Sequence, residues 1–382
     1  MHSPSPRLLE GAASFDPGQG FFNPSSRPSR DLGVLLGRTL NQNRPLRVLD
    51  LMAGCGIRSL RYGLEAQARG LWANDGDADR FPLLRDNLAG LEDRCVVRRT
   101  ALSAQRLLAD CLLRGERFDL VDLDAFGCPH ALVPLALEAV AFEGILYLAS
   151  TDGRGPTGHD RGAALRRLGA SARSHPSSWE QALRLQIGVL ARGAWSQGRG
   201  VEPVVSFSDG RSFRTALRLR RHPRPQEEGA LGLQAICHGC GDQQVQSLLS
   251  LKRWPACSCP TPGGASLAVS GPLWIGPLQH LPTLEAMAVE AAAQPHILSR
   301  EGSRLLGRLR GDGGWPARTW PHALLARHLA SAPPPLRPLV ERLRQEGFVA
   351  AASGVMPGHF RSDAPWTTIL ALAADVAAGP AK

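Results

Sequence analysis

From residue 46 onward short apolar runs alternate with longer amphipathic ones, and this alternation narrows the possible folds more than any other feature. "LRVLDLM" reads as a strand and "GIRSLRYGLEAQARG" as a helix. "LWAND" is followed by "DADRFPLLRDNLAGL", "CVVRR" by "SAQRLLADCLLRG", "FDLVDLD" by "PHALVPLALEAVAFE", and "GILYLAST" by a loop. Five strands separated by helical stretches predict a mostly parallel sheet with helices on both faces. After a helix around residues 178–194 come "VEPVVSFS" and "SFRTALRLR", joined by "SDGR", whose Asp-Gly pair predicts a hairpin.

The 382 residues, 43% of them hydrophobic, suffice for two or three domains. "RRHPRPQEEGA", residues 220–230, reads as a linker, which gives a first domain over 1–222 and a second over 223–382. In the second, "PHALLARHLASA" and "LRPLVERLRQEG" read as helices before the apolar "FVAAAS" and a loop. That order suits a winged-helix-like end, and an ordinary helical cap fits it equally. Formal net charge is +10, almost all the cations being arginine, with lysine only at Lys252 and Lys382. Guanidinium forks match phosphate oxygens; a GC-rich genome produces the same bias. "MHSPSPRLLEGAASF" has no apolar region behind a basic start, and no run reaches the ~18 apolar residues of a membrane span. Residues 131–149 come nearest, but Glu138 and Glu143 break them. The expectation is a soluble, cytoplasmic, monomeric protein with no membrane partner.

In an open parallel sheet ligands bind beyond the carboxyl ends of the strands. There "DLMAGCGIRSLR" sets Asp50 at the end of the first strand, with Gly54 and Gly56 letting the backbone pass close to a ligand. Met52 stands where a third glycine is common. "ANDGD" places Asp75 at the end of the second strand, where an acid can accept from both ribose hydroxyls; Asp77 is the better helix cap. Thr100 and Ala101 lie where an adenine edge would be held. No G-x-x-x-x-G-K-[ST] pattern occurs, which argues against a P-loop nucleotide triphosphatase.

"VDLDAFGCPH" brings acids to the end of the fourth strand. A nucleobase exocyclic amine is a poor nucleophile, because its lone pair is delocalised into the ring. A carboxylate that accepts its N–H can turn the lone pair toward a methyl donor, and an aromatic beside it can stack on the base. Asp124 and Phe126 supply those two groups. Asp119 is expected as a solvated strand start and Asp122 as a supporting group.

A parallel five-strand core closed by a hairpin looks like a class I S-adenosylmethionine-dependent methyltransferase. Over roughly residues 20–365 the chain resembles the tRNA (guanine(26)-N2)-dimethyltransferase family. The resemblance is carried by "FFNPSSRPSRDLGVLL", "VLDLMAGCGIRSLRYGLE", "VDLDAFGCP", "STDGRGPTG", "GVEPVVSFSDGRSFRTALRLR", "GPLWIGPL" and "GHFRSDAPW". It implies that Arg30 and Arg58 help hold S-adenosylmethionine, with Asp75 on the ribose and Thr100 and Ala101 by the adenine. It further implies Asp124 as the catalytic acid group and Phe21 packed against the target guanine. Ala125 replaces the family's proline, Cys128 a small hydroxyl residue, and "DGRGPT" and "DGRSFR" depart from the usual pattern.

"CHGC" and "CSC" present Cys237, Cys240, Cys257 and Cys259. In a chain without an export signal they read as a structural zinc site, with His238 as a substitute ligand and buried free thiols as the alternative. "RSFRTALRLRRHPR" gathers Arg211, Arg214, Arg218, Arg220, Arg221 and Arg224, and "LARGAWSQGRG" adds Arg192 and Arg199, as candidate phosphate contacts. Taken together, the expected fold is α/β: a Rossmann-like methyltransferase sheet with a C-terminal α+β domain carrying a zinc knuckle. The expected activity is transfer of one or two methyl groups from S-adenosylmethionine to guanine N2 in tRNA. A tRNA-binding protein that has lost catalysis and an amine methyltransferase acting on DNA or protein are the alternatives.

Overall fold

In the computed structural model, which describes residues 7–19, 22–257, 259, 267–329 and 331–378, the alternating pattern closes into one seven-stranded sheet. Phe21 lies outside the described residues. A hairpin, β1 (Leu8–Glu10) and β2 (Ala13–Phe15), leads into helix α1 (Arg27–Asn41). The sheet then builds as β3 (Arg47–Asp50), α2 (Ile57–Leu64), β4 (Gly70–Asn74), α3 (Phe81–Leu88), β5 (Val96–Thr100), α4 (Ala104–Leu113), β6 (Phe118–Asp124), α5 (Val133–Ala139) and β7 (Val140–Ser150). After α6 (Arg161–Leu168) and α7 (Ser178–Ser196), the hairpin β8 (Gly200–Ser208) and β9 (Phe213–Arg220) completes it. The order is β5-β4-β3-β6-β7-β9-β8. The first five strands run parallel and the hairpin antiparallel.

The two-residue period of the strands distributes their side chains between two cores. Val48, Leu120 and Ile145 face α1, α2 and α3, while their neighbours Leu49, Val121 and Leu146 face α4, α5 and α7. The stretch expected to be helical through Glu143 turns to strand at Val140 instead. Val140 and Phe142 favour the pleated conformation, and Glu143 adopts φ 61° where β7 bends into the sheet.

Beyond residue 222 come β10 (Leu231–Cys237), β11 (Gln243–Ser247) and β12 (Leu267–Trp274), an antiparallel sheet of order β11-β10-β12. Two helices the sequence reading passes over follow, α8 (Leu281–Ala293) and α9 (Arg300–Arg310). They pack against α1, where Leu284, Met287, Ile297 and Leu306 complete the first core. The end of the chain holds β13 (Thr319–Pro321), α10 (Ala326–Leu329), α11 (Leu336–Gln345), β14 (Ala350–Ala352), β15 (His359–Ser362) and α12 (Trp366–Ala378). The expected helix over Pro321–Ala332 is a short 3₁₀ turn and the four-residue α10. The three strands pair as β13-β15-β14. Among the described residues no helix is long and apolar enough to cross a membrane.

The two halves are tied by a buried ion network. Glu180 of α7 accepts from Arg184 at 2.8 Å, from Arg361 of β15 at 2.8 Å and from the Thr319 hydroxyl at 2.9 Å. Arg361 also pairs with Asp312 at 2.6 Å. Burial raises the Glu180 carboxyl, but Arg361 and Arg184 outweigh it and hold the group at about 2. Replacing Glu180 with alanine leaves the buried Arg184 guanidinium without its carboxylate and Arg361 with Asp312 alone, and is expected to cost about 3–5 kcal/mol, read as a lowered unfolding free energy in urea.

Candidate active site

The strand order reverses between β3 and β6, so the crevice beyond their carboxyl ends is the switch point of the sheet. Register sets Asp50 of β3 directly beside Asp122 of β6, with Asp124 two residues further on. Three acids thus meet at one edge, and two guanidiniums answer them. Arg58 of α2 reaches Asp124 Oδ2 at 2.7 Å and Asp122 at 3.5 Å. Arg214 of β9 reaches Asp124 Oδ1 at 2.7 Å and Asp122 at 3.5 Å. Tyr62 donates its hydroxyl to Asp122 at 2.6 Å. The Tyr147 ring lies under the Arg214 guanidinium, and its hydroxyl donates to Ser29 O at 2.8 Å.

Asp124 keeps 30% of its side chain exposed. Burial of its inner edge acts to raise its pKa, but Arg214 and Arg58 together hold it well below the usual carboxylate range. It is a fixed anion and a hydrogen-bond acceptor rather than a proton carrier. Asp50 is the opposite case. Burial, reinforced by Asp122, lifts its carboxyl to about 7 against the pull of the Ser59 hydroxyl. Its Oδ1 is buried without a partner.

After Asp124 the chain turns outward. Ala125 packs on the second core, and Phe126 is 72% exposed. Gly127 is pinned from both sides: its N–H donates to Thr151 Oγ1 at 2.6 Å, and its carbonyl accepts from the Thr151 N–H at 2.9 Å and the Ser150 hydroxyl at 2.9 Å. Cys128 lies 2.8 Å from His130 Nδ1. No side chain caps the turn at Pro129–Leu132, so Asp124 is not spent on capping.

On the β3 side the loop fits the expected cofactor. Gly54 and Gly56 hold φ of 57° and 84°, which side-chain-bearing residues rarely adopt. A Cβ on Gly54 would meet nothing within 4 Å, so the loop opens onto free space. Asp75 accepts from the Gly54 N–H at 2.8 Å and the Asp77 N–H at 3.0 Å, leaving lone pairs for a diol. Asp77 caps the next turn, as expected, through the Asp79 N–H. Thr100 accepts from Trp72 Nε1 and donates to Asn74, while Ala101 beside it is half-buried. Arg30 forms a bidentate pair with Glu10 at 2.6 and 2.7 Å and stacks on Phe22 at 5.1 Å.

Several expectations are corrected. Asp119 is buried, paired with Arg44 at 2.5 Å and accepting the Arg47 N–H at 2.8 Å. Of the arginine run, Arg214 is buried at Asp124, and Arg218, Arg220 and Arg224 all converge on Glu202. Arg199 is buried and donates to Leu137 O, and Arg192 donates to Leu168 O. Arg211, Arg221 and Arg224 are exposed. Arg214 is the site residue that sequence reasoning misplaced. The available signal was a charge inside a strand whose two faces both pack on apolar layers, which demands a buried counter-ion.

In the second half the Sγ atoms of Cys237, Cys240, Cys257 and Cys259 lie within 4.8 Å of one another. Tetrahedral zinc with Zn–S of about 2.3 Å accommodates such a set. His238 is exposed and outside the group.

A family model described as N2,N2-dimethylguanosine tRNA methyltransferase matches residues 12–374. A tRNA (guanine(26)-N(2))-dimethyltransferase of Thermococcus kodakarensis is 29% identical over 91% of each chain. One from Methanoculleus marisnigri is 30% identical over 92% of this chain and 91% of its own. The structure of Trm1 from Pyrococcus horikoshii with S-adenosyl-L-methionine superposes with a TM-score of 0.81, covering 96% of this chain and 99% of that one at 24% identity, a likeness of fold.

Two measurements check the site. Asp50 retains a proton in the folded protein that the unfolded chain gives up near 3.8. Its contribution to stability is therefore present below that pH and is lost as pH rises toward about 7. The unfolding free energy of the wild type minus that of Asp50→Asn is expected to fall across this window and then level off. Separately, metal analysis of the purified chain is expected to find about one zinc per molecule, and none in Cys237→Ser.

Proposed function

The chain belongs to the N2,N2-dimethylguanosine tRNA methyltransferase family, and on that premise we propose that it methylates the exocyclic N2 of guanine 26 in tRNA, using S-adenosylmethionine. The observation that carries the chemistry is Asp124: a carboxylate fixed as an anion at the switch point, with one edge open to the crevice.

When bound, S-adenosylmethionine supplies an electrophilic methyl group. Asp75 would receive its ribose hydroxyls, the Gly54–Gly56 loop its amino-acid end, and Thr100 and Ala101 its adenine edge. Asp50, buried at the end of β3, would back that pocket. Arg58 serves it by holding Asp124, and Arg30 by fixing α1 to β1. The target base, drawn out of its stem, would lie on Phe126, with Phe21 assigned to its other side on the resemblance alone.

Asp124 accepts one N2–H, which turns the nitrogen lone pair toward the methyl and favours the positive charge that develops there. Because Arg58 and Arg214 make this carboxylate a weak base, the proton released as the N–C bond forms passes to water at the exposed edge. After one transfer N2 keeps a single N–H, which the same oxygen can accept, so a second methylation uses the same geometry. After two, nothing remains for Asp124 to hold.

We assign residues 1–222 to catalysis and 223–382, with the zinc site, to tRNA binding. We take the enzyme to act as a cytoplasmic monomer. The test is incubation with S-adenosylmethionine and unmodified tRNA transcript, followed by digestion and mass measurement of nucleosides. Mono- and dimethylated guanosine are expected with the wild type. Asp124→Ala is expected to lose about 10²–10³-fold in kcat. Product formation at the wild-type rate in that variant would overturn the assignment.

A further inference from the structure

A groove of about 450 Å³ lies beside β11, the open edge of its sheet, and the first turn of α12. Three residues that line it carry polar groups without a hydrogen-bond partner among the described residues. The Trp366 side chain is 3% exposed, and its Nε1–H is buried with no acceptor. Gln244 spends its Nε2 on Asp242 and on Pro255 O, but its Oε1 is buried with no donor. Arg318 is half-buried over the Trp320 ring, and its guanidinium makes no hydrogen bond or ion pair among the described residues.

Leaving a buried polar group unpaired costs about 1–3 kcal/mol, so two orphans beside a guanidinium with no hydrogen-bonded counter-ion among the described residues define a shape of ligand. It offers anionic oxygens to the donors Arg318 and Trp366 Nε1–H, and a hydroxyl hydrogen to Gln244 Oε1. The N–H groups that open the thirteen-residue α12 add positive potential at the same end. A phosphodiester next to a ribose 2′-hydroxyl has both halves of that pattern, and DNA lacks the second. Asp242, which also lines the groove with Oδ2 taken by Gln244, and Asp363 both pull on the Arg318 guanidinium, so a bound anion competes with two carboxylates there.

We propose that this groove holds one ribonucleotide of the substrate RNA, remote in the chain from the methyl-transfer crevice: the phosphate on Arg318 and Trp366, the 2′-hydroxyl on Gln244. The proposal rests on tRNA being the substrate. It makes the groove an anchor that sets the register of the RNA while the target base is drawn into the crevice.

The test is binding of a tRNA transcript to the full-length protein across a salt series, for the wild type, Arg318→Gln and Thr367→Glu. Arg318→Gln removes the charge at similar length. Thr367 is exposed at the helix start, where a glutamate suits the helix but repels a phosphate. Each variant is expected to bind about five- to tenfold more weakly, and Arg318→Gln to reduce the salt slope by about 0.7–0.9. Should Arg318→Gln fail to fold, Thr367→Glu alone decides. Unchanged affinity in the folded variants, with wild type still methylating the transcript, overturns the groove alone. A wild type that leaves the transcript unmethylated overturns the functional reading itself.

Discussion

Two guanidiniums decide what the carboxyl end of this sheet can be. β3 and β6 bring Asp50, Asp122 and Asp124 side by side in a place where three bare carboxylates could not coexist. Arg58 and Arg214 neutralise two of them, and burial beside Asp122 pushes the carboxyl of the third, Asp50, toward its neutral form. The answer to the charge problem also fixes the geometry. Arg58 comes from α2 and Arg214 from the antiparallel hairpin, so the glycine loop, the parallel core and the closing hairpin all register on one carboxylate. Tyr62 and Tyr147 complete the cluster, and Ser29, which accepts from Tyr147 and from Arg58, brings α1 to it.

The same arrangement recurs elsewhere. Arg61, one turn further along α2 from Arg58, is enclosed by Glu10, Asp31 and Glu65. Arg184 and Arg361 share Glu180 where the halves join. Arginine in this chain thus serves the interior as well as the surface. Removing single partners from such clusters is far more harmful than their net worth to stability suggests, because the survivors keep their desolvation cost.

That inward use of arginine explains how much could be read beforehand. The strand–helix order, the hairpin at Asp209-Gly210 and the place of Asp50, Asp75 and Asp124 followed from period, turn chemistry and strand ends. The gathering of the four cysteines followed from their spacing. Arg214 and Arg218 were misjudged because composition cannot distinguish a cation facing phosphate from one facing a buried carboxylate. Only the pairing partner does, and Glu202 lies on the other strand of the hairpin. The helices α8 and α9 left no mark because their partner is α1, more than two hundred residues earlier. Local periodicity cannot report a core assembled from such distant pieces.

That distant core has a consequence for how the protein is made. Asp31 in α1 is satisfied by the Ser299 N–H and hydroxyl, and Arg61 by Ile297 O. A ribosome adding about 5–20 residues per second delivers the last sheet strand several seconds before it delivers that loop. During the interval the nascent chain holds a sheet whose α1 face is still uncovered and whose buried Asp31 has Arg61 but not yet Ser299. Completion of the first core, though not of the sheet, therefore waits on translation of α8 and α9. A stall or break between β9 and α9 would leave a product that needs a chaperone, not a smaller working enzyme.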